Sequence, residues 1–276
     1  MAAPAFGYDP DPAGAEAFVS SLARPTLAQA GPDLTTDEKT DVFLYESLLK
    51  CMPSWKRGSQ GNVGSCVGWG AALGIDMLAA CDIHWRRESE QWGGRTVEAS
   101  IYGFSRVYGQ DYGGTRIDSH SSAREREWGR DGVPNELERF ASLRRCSETT
   151  LATSFVEAAK AIANGYPVVV CSGQGFSMSR DDDGFCKPGG VWWHCMTLGG
   201  LRWGKRPGLL CFNSWGRSNT VGKHFPENIP EEVKACSFWI DAAVCDKMLS
   251  GRDSYAYAGY SGFQASKMPN WTGVAL

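Results

Sequence analysis

The order of hydrophobic periods along the chain predicts an α+β protein, with helices first and an antiparallel sheet second. Up to about residue 165 apolar residues recur at helical spacing, as in Val67, Ala71, Ile75 and Leu78. Beyond it come short apolar or aromatic runs separated by turn residues: 167–171, 191–198, 208–213 and 237–240. A helical lobe packed against an antiparallel sheet or barrel-like lobe accounts for both halves. The 276 residues suffice for two modest lobes sharing a cleft.

In chain order, residues 1–34 are rich in Ala, Pro and Gly, with one short helical candidate from Glu16 to Leu22. Thr35 and Glu38 have capping-box spacing ahead of an apolar side made by Val42, Phe43, Leu44, Leu48 and Leu49, which predicts a helix there. After a basic Gly- and Pro-containing link, Gln60–Leu78 reads QGNVGSCVGWGAALGIDML, a small-residue turn followed by a helix running towards Trp85. Further helices are expected over 97–109, from Ser121 or Ser122, and over Glu136–Leu143, with Gly113-Gly114 at the tip of a polar loop. Phe155, Ala158, Ala159 and Ile162 form one more helix, stopped by Asn164-Gly165. Residues 173–190 read as a long Gly- and Asp-rich loop, and Asp253–Leu276 as an irregular tail packed back on the protein. The expected organisation is an N-terminal extension (1–50), a two-lobe domain (51–250; lobes about 60–145 and 150–245) and the tail (251–276).

Bulk properties exclude several classes. With 28 Lys and Arg against 31 Asp and Glu, a net charge of -3 and no basic block, no nucleic-acid surface is expected. The first residues lack a basic segment followed by an apolar one, and no run reads as a membrane span. None of the ten cysteines sits in a C-x-x-C pair. Free thiols in the cytoplasm or another reducing compartment are the expectation.

Cys66 falls at the start of the predicted helix, where unpaired backbone N–H groups and the helix dipole favour a thiolate. Of the four histidines, His84, His120 and His224 have no partner pattern, whereas His194 lies inside an apolar strand, VWWHCMTLGG. Asn213, in CFNSWG, ends the next strand. Adjacent antiparallel strands would let its side-chain oxygen orient the His194 ring, with the other ring nitrogen turned to Cys66 and Trp215 covering the pair. A metal site from Cys171, Cys186, His194, Cys195 and Cys211 has irregular spacing and strand neighbours on opposite faces, so no metal or other cofactor is expected.

These residues resemble the papain-like cysteine peptidases, whose His and Asn follow the nucleophile by about 130 to 150 residues. Here Gly64-Ser65-Cys66 fits, with His194 128 residues and Asn213 147 residues further on. The resemblance, over roughly 55–245, implies a two-lobe fold and a Cys66–His194–Asn213 triad with Gln60 as oxyanion-hole donor. It further implies that Gly113, Gly114, Ser65, Trp193 and Trp215 line the site for an extended peptide or protein substrate. The chain departs from the family at Val63 and Asp111, where secreted members have paired cysteines. It departs also at Val67, Trp193 and Cys195, and in the insertion Arg217–Cys236. No family-type propeptide is recognisable. The implied function is peptide-bond hydrolysis through a thioester. Another acyl transfer (amidase, transglutaminase or ligase) and an inactive binding module remain alternatives.

Overall fold

A computed structural model describes residues 7–61, 64–86, 92, 146–216 and 220–260, the side chains of Cys146, Ser147 and Tyr260 excepted. Val63, Asp111, His120 and Gly113-Gly114, and the helices expected between 97 and 143, lie outside the described residues.

Two short helices, α1 (Pro12–Ser21) and α2 (Leu27–Ala30), open the described chain. Asp11 caps α1 by accepting from the Gly14 N–H at 2.9 Å, and the Phe18 ring meets Tyr255 edge-on at 5.4 Å. The helix expected after Thr35 begins later. Val42–Phe43 instead forms a two-residue strand, β1, and only then does α3 (Leu44–Cys51) start. The pairing of Val42 and Phe43 with Leu201 and Gly200 outweighs the local capping signal.

The central helix α4 (Cys66–Cys81) continues as one π-turn over Asp82–Arg86. All sixteen residues of α4 are buried, so it is a core helix without a polar face. The run Cys66–Arg86 is long and apolar enough to cross a membrane, contrary to the reading that no such run exists. Its most apolar stretch is 94% buried against the rest of the protein. Close approach to the sheet requires small residues, because a Cβ on Gly74 would stand 2.9 Å from a Val169 methyl. At the C-terminal end Arg86 donates to Asp82 Oδ1 and to the Asn164 carbonyl, at 2.6 and 2.9 Å.

The second half supplies β2 (Cys146–Leu151), α5 (Phe155–Ala163), β3 (Val168–Arg180), β4 (Cys186–Arg202) and β5 (Gly208–Phe212). It continues with α6 (Glu231–Lys234), β6 (Ser237–Asp241), α7 (Ala242–Leu249) and β7 (Ser254–Tyr260). The sheet is antiparallel in the order β2-β7-β3-β4-β5-β6, with β1 on β4. It is open, so the barrel-like alternative for this lobe does not hold. Helix α4 packs on β3, β4 and β7, and α3 packs on α4.

Two stretches read as irregular are strands. Residues 173–190 form most of the β3–β4 hairpin. Its turn is built by Asp181, whose carboxylate accepts from the backbone N–H of Asp183 and Phe185, and by Gly184 at φ +88. The start of the expected tail is β7, paired with both β2 and β3, and its Tyr255 and Tyr257 are buried with the aromatic preference of a strand interior. The insertion after Asn213 is tied down by Arg180, which donates to the carbonyls of Gly222, Lys223, Lys234 and Ser237 at 2.7–3.0 Å.

Candidate active site

Register brings His194 and Asn213 together. Thr197 pairs with Phe212 across β4 and β5, so Asn213 continues β5 and His194 lies three residues before Thr197 on β4. The His194 Nε2 to Asn213 Oδ1 distance is 2.8 Å. The same Oδ1 accepts from the Ser214 N–H at 2.7 Å. A backbone N–H can only donate, so the atom it meets is the amide oxygen, and His194 carries its proton on Nε2. That leaves Nδ1 as the ring's acceptor nitrogen. The Trp215 ring lies over His194 with centroids 4.7 Å apart and 31° between planes, and Trp192 packs on Trp215 at 4.8 Å. Both His194 and Asn213 are fully buried.

Gln60 reaches the same place from the link before α4. Ser59 bridges to Trp215, the Gln60 N–H donates to the Ser214 carbonyl at 2.8 Å, and Gln60 Oε1 accepts from Ser214 Oγ at 2.5 Å. With Oε1 engaged, the donor end of the amide is Nε2. Arg57, a residue that sequence reasoning passed over, locks this junction. It is buried, donates to the Asn213 carbonyl at 2.9 Å and to the Trp69 carbonyl at 3.3 Å, and lies over the Trp69 ring. One guanidinium thus joins α4 to the residue that orients His194. Nothing local in the basic link sets it apart from its neighbour Lys56.

Cys66 is the first residue of α4, with Ser65 as N-cap, and is wholly buried. Its sulphur receives the backbone N–H groups of Cys195, Gly7 and Val67. Cys195 is the neighbour of His194, so Cys66 adjoins the strand that carries the imidazole. Gly7 is unexpected, because it belongs to the segment before α1. The Tyr8 N–H donates to the Trp193 carbonyl at 3.2 Å, which keeps that segment across the site. Trp193 is 47% exposed and Ser65 is buried.

Burial sets the protonation states. It pushes the Cys66 thiol up to about 12, helped by the neighbouring Cys195 and opposed by the three N–H groups. It pulls His194 down to about 4, with Asn213 opposing and Arg57 assisting. In this closed arrangement burial favours the neutral form of each group, against the thiolate expected at the helix start.

A direct thiol–imidazole contact occurs elsewhere, between Cys51 and His84, with Sγ to Nε2 at 3.4 Å. Cys51 ends α3 and His84 lies in the π-turn after α4, eighteen residues beyond Cys66, or roughly 27 Å along a helix. The nine cysteines with described side chains are all free thiols. Among the described residues no group of three or more His, Cys, Asp or Glu is placed to hold a metal ion.

No family model and no curated protein sequence matches the chain. Solved structures do. Procathepsin B S9 from Trypanosoma congolense is 11% identical over 93% of this chain and 87% of its own, with a TM-score of 0.55. Xylellain, a cysteine protease from Xylella fastidiosa, is 15% identical over 96% and 99%, with a TM-score of 0.50. At such identities the likeness is one of fold, and over nearly the whole length of both chains that fold is the one shared by papain-like cysteine peptidases.

Proposed function

We propose that the protein is a cysteine-dependent peptide-bond hydrolase acting through a thioester on Cys66. The observation that carries this reading is an imidazole whose tautomer Asn213 fixes, on the strand whose next residue, Cys195, turns its N–H to a thiol at a helix N-terminus. In it, His194 takes the Cys66 proton through Nδ1 as sulphur attacks the substrate carbonyl. The imidazolium then protonates the leaving amine, and the free ring activates water for deacylation. Asn213 is a positioning residue, since its oxygen holds Nε2–H and so presents Nδ1. The tetrahedral oxygen meets the Cys66 N–H and the Gln60 amide. Trp193 and Trp215 border the substrate path, and the fold's cleft between lobes suits a peptide or protein substrate.

The test is hydrolysis of a mixed peptide library by the wild-type chain, Cys66→Ala and Cys51→Ala. Loss of cleavage in Cys66→Ala with retention in Cys51→Ala supports the reading. Retention in Cys66→Ala overturns it, and loss only in Cys51→Ala moves the chemistry to the Cys51–His84 contact.

A further inference from the structure

Gly7 and Tyr8 sit where a substrate would have to be. The Gly7 N–H is on the Cys66 sulphur, and a Cβ at Gly7 would come within 2.1 Å of the Gly64 carbonyl oxygen, so only glycine passes this close to the nucleophile turn. Tyr8 follows with its N–H on the carbonyl of Trp193, the residue before His194. Its ring stands 6.2 Å from that of Trp193 and belongs to one buried cluster with Cys66, Cys171 and Cys195. The phenol reaches the end of this pocket and donates to Asp253 Oδ2 at 3.1 Å, and Asp253 is only 4% exposed. Beside Tyr8 the cleft continues as a space of about 610 Å³, bordered by Ser172, Gln174, Trp193 and Met248.

Cys66 is 0% exposed in this arrangement, so attack on any carbonyl requires Gly7 and Tyr8 to leave. Their departure uncovers an apolar slot about one aromatic ring wide with a carboxylate at its end. Such a slot discriminates by its polar end, since a ligand that fills it without a donor leaves a buried carboxylate short of a hydrogen bond. We propose that the Asp253-ended pocket is a subsite for a tyrosine side chain of a peptide ligand, and that Gly7–Tyr8 is the chain's own occupant, excluding that ligand from Cys66. The inference deepens the hydrolase reading and rests on it for the ligand being a substrate.

The test reads alkylation of Cys66 by iodoacetamide, resolved by peptide mass spectrometry, and needs no turnover. Tyr8→Ala is expected to raise the Cys66 rate by about tenfold or more, and Tyr8→Phe, which keeps the ring but loses the donor, by a smaller factor. In Tyr8→Ala, an acetylated peptide with the sequence Gly7–Asp11 should protect Cys66. The same peptide with phenylalanine for tyrosine should protect about tenfold less well, and Asp253→Ala should abolish the difference. Equal alkylation of wild type and Tyr8→Ala, both folded by circular dichroism, overturns the proposal, as does equal protection by the two peptides. If Tyr8→Ala does not fold, Tyr8→Phe decides: a Cys66 rate equal to wild type overturns it. Protection that follows tyrosine while no variant cleaves any peptide upholds the subsite and sinks the hydrolase reading. Cleavage without preference for tyrosine upholds the hydrolase and sinks the subsite.

Discussion

At its first residue α4 presents Cys66, and eighteen residues later the same helical run presents His84 against Cys51 of α3. The two ends place a thiol in opposite settings. Cys66 lies at a helix N-terminus, among three backbone N–H groups, under complete burial. Cys51 is the last residue of its helix, where carbonyl oxygens and the negative end of the dipole oppose a thiolate, and His84 is exposed. Burial alone pushes the Cys51 thiol up, with no N–H groups to offset it. The short sulphur–imidazole distance at Cys51 therefore does not by itself decide between the two thiols. The difference lies in what surrounds the sulphur and in whether a third group fixes the ring.

The widest separation should appear in turnover. Cys66→Ala should lower hydrolysis by about 10⁶-fold, the order found when a triad nucleophile is removed, while Cys51→Ala should leave it within about twofold. Steady-state kinetics on a cleaved library peptide checks this. Native alkylation should run the other way. Partly exposed Cys51 should react before wholly buried Cys66, so on the proposed function the thiol that meets reagent first is not the nucleophile.

Gln60→Ala sharpens the comparison inside the buried end. On the proposed function its amide acts only when charge develops on the substrate oxygen, so turnover should drop by about 10²–10³-fold with KM little changed. Alkylation of Cys66, which forms no oxyanion, should keep its rate in Gln60→Ala and lose it in Asn213→Ala, because Asn213 works through the His194 ring. Matching alkylation rates in the two variants would remove the distinction.

A pH profile of melting temperature tests the burial that separates the two ends. His194 and His224 are held near 4 and 3 in the folded chain against 6.5 when unfolded, chiefly by burial. Between these values the unfolded chain binds more protons, so stability rises with pH up to about 6.5. Burial raises Cys66, Cys81, Cys186 and Cys236 to about 12 from 9.0, so above about 9 the unfolded chain loses protons first and stability falls again. The melting temperature should therefore plateau between about 6.5 and 9 and drop on both sides by an amount equivalent to a few kcal/mol. A profile flat from pH 4 to 8 would contradict buried neutral imidazoles.

How much of this was legible in the sequence follows the range of the signal. The start of α4, the helix closed by Asn164-Gly165 and the strand runs around His194 and before Asn213 carry local periods, and the α+β order follows from them. Once β4 and β5 pair in register, His194 and Asn213 are neighbours without further information. The hairpin turn at Asp181 was hidden because Gly and Asp density reads as loop while a side chain builds the turn. Strand β7 was hidden because its two buried tyrosines alternate with alanine and glycine, a weak pattern without its partners on both sides. Arg57, Tyr8 and Asp253 left no local trace, since each gains its meaning from a contact more than 150 residues away in sequence.

The smallest expected effects concern how α4 is pressed on the sheet between its two ends. In an exposed helix, Gly→Ala stabilises by about 1 kcal/mol. At Gly74 the added carbon would stand 2.9 Å from a Val169 methyl and 3.2 Å from the Tyr257 ring, groups fixed in the central strands β3 and β7. Overpacking of that kind costs about 1–3 kcal/mol. Gly74→Ala should therefore be destabilising by about 1 kcal/mol net, with Cys66, two turns away, unchanged in reactivity. At Gly70 the nearest atom is the Cys195 sulphur at 3.0 Å, a side chain that can yield, and Cys195 supplies one of the N–H groups on Cys66. Gly70→Ala should leave the melting temperature nearly unchanged while altering Cys66 alkylation, the reverse of Gly74→Ala. Both quantities measured on both variants decide it. If the two move together, the N-terminal end of α4 is held by general packing and not by the contact between Gly70, Cys195 and Cys66.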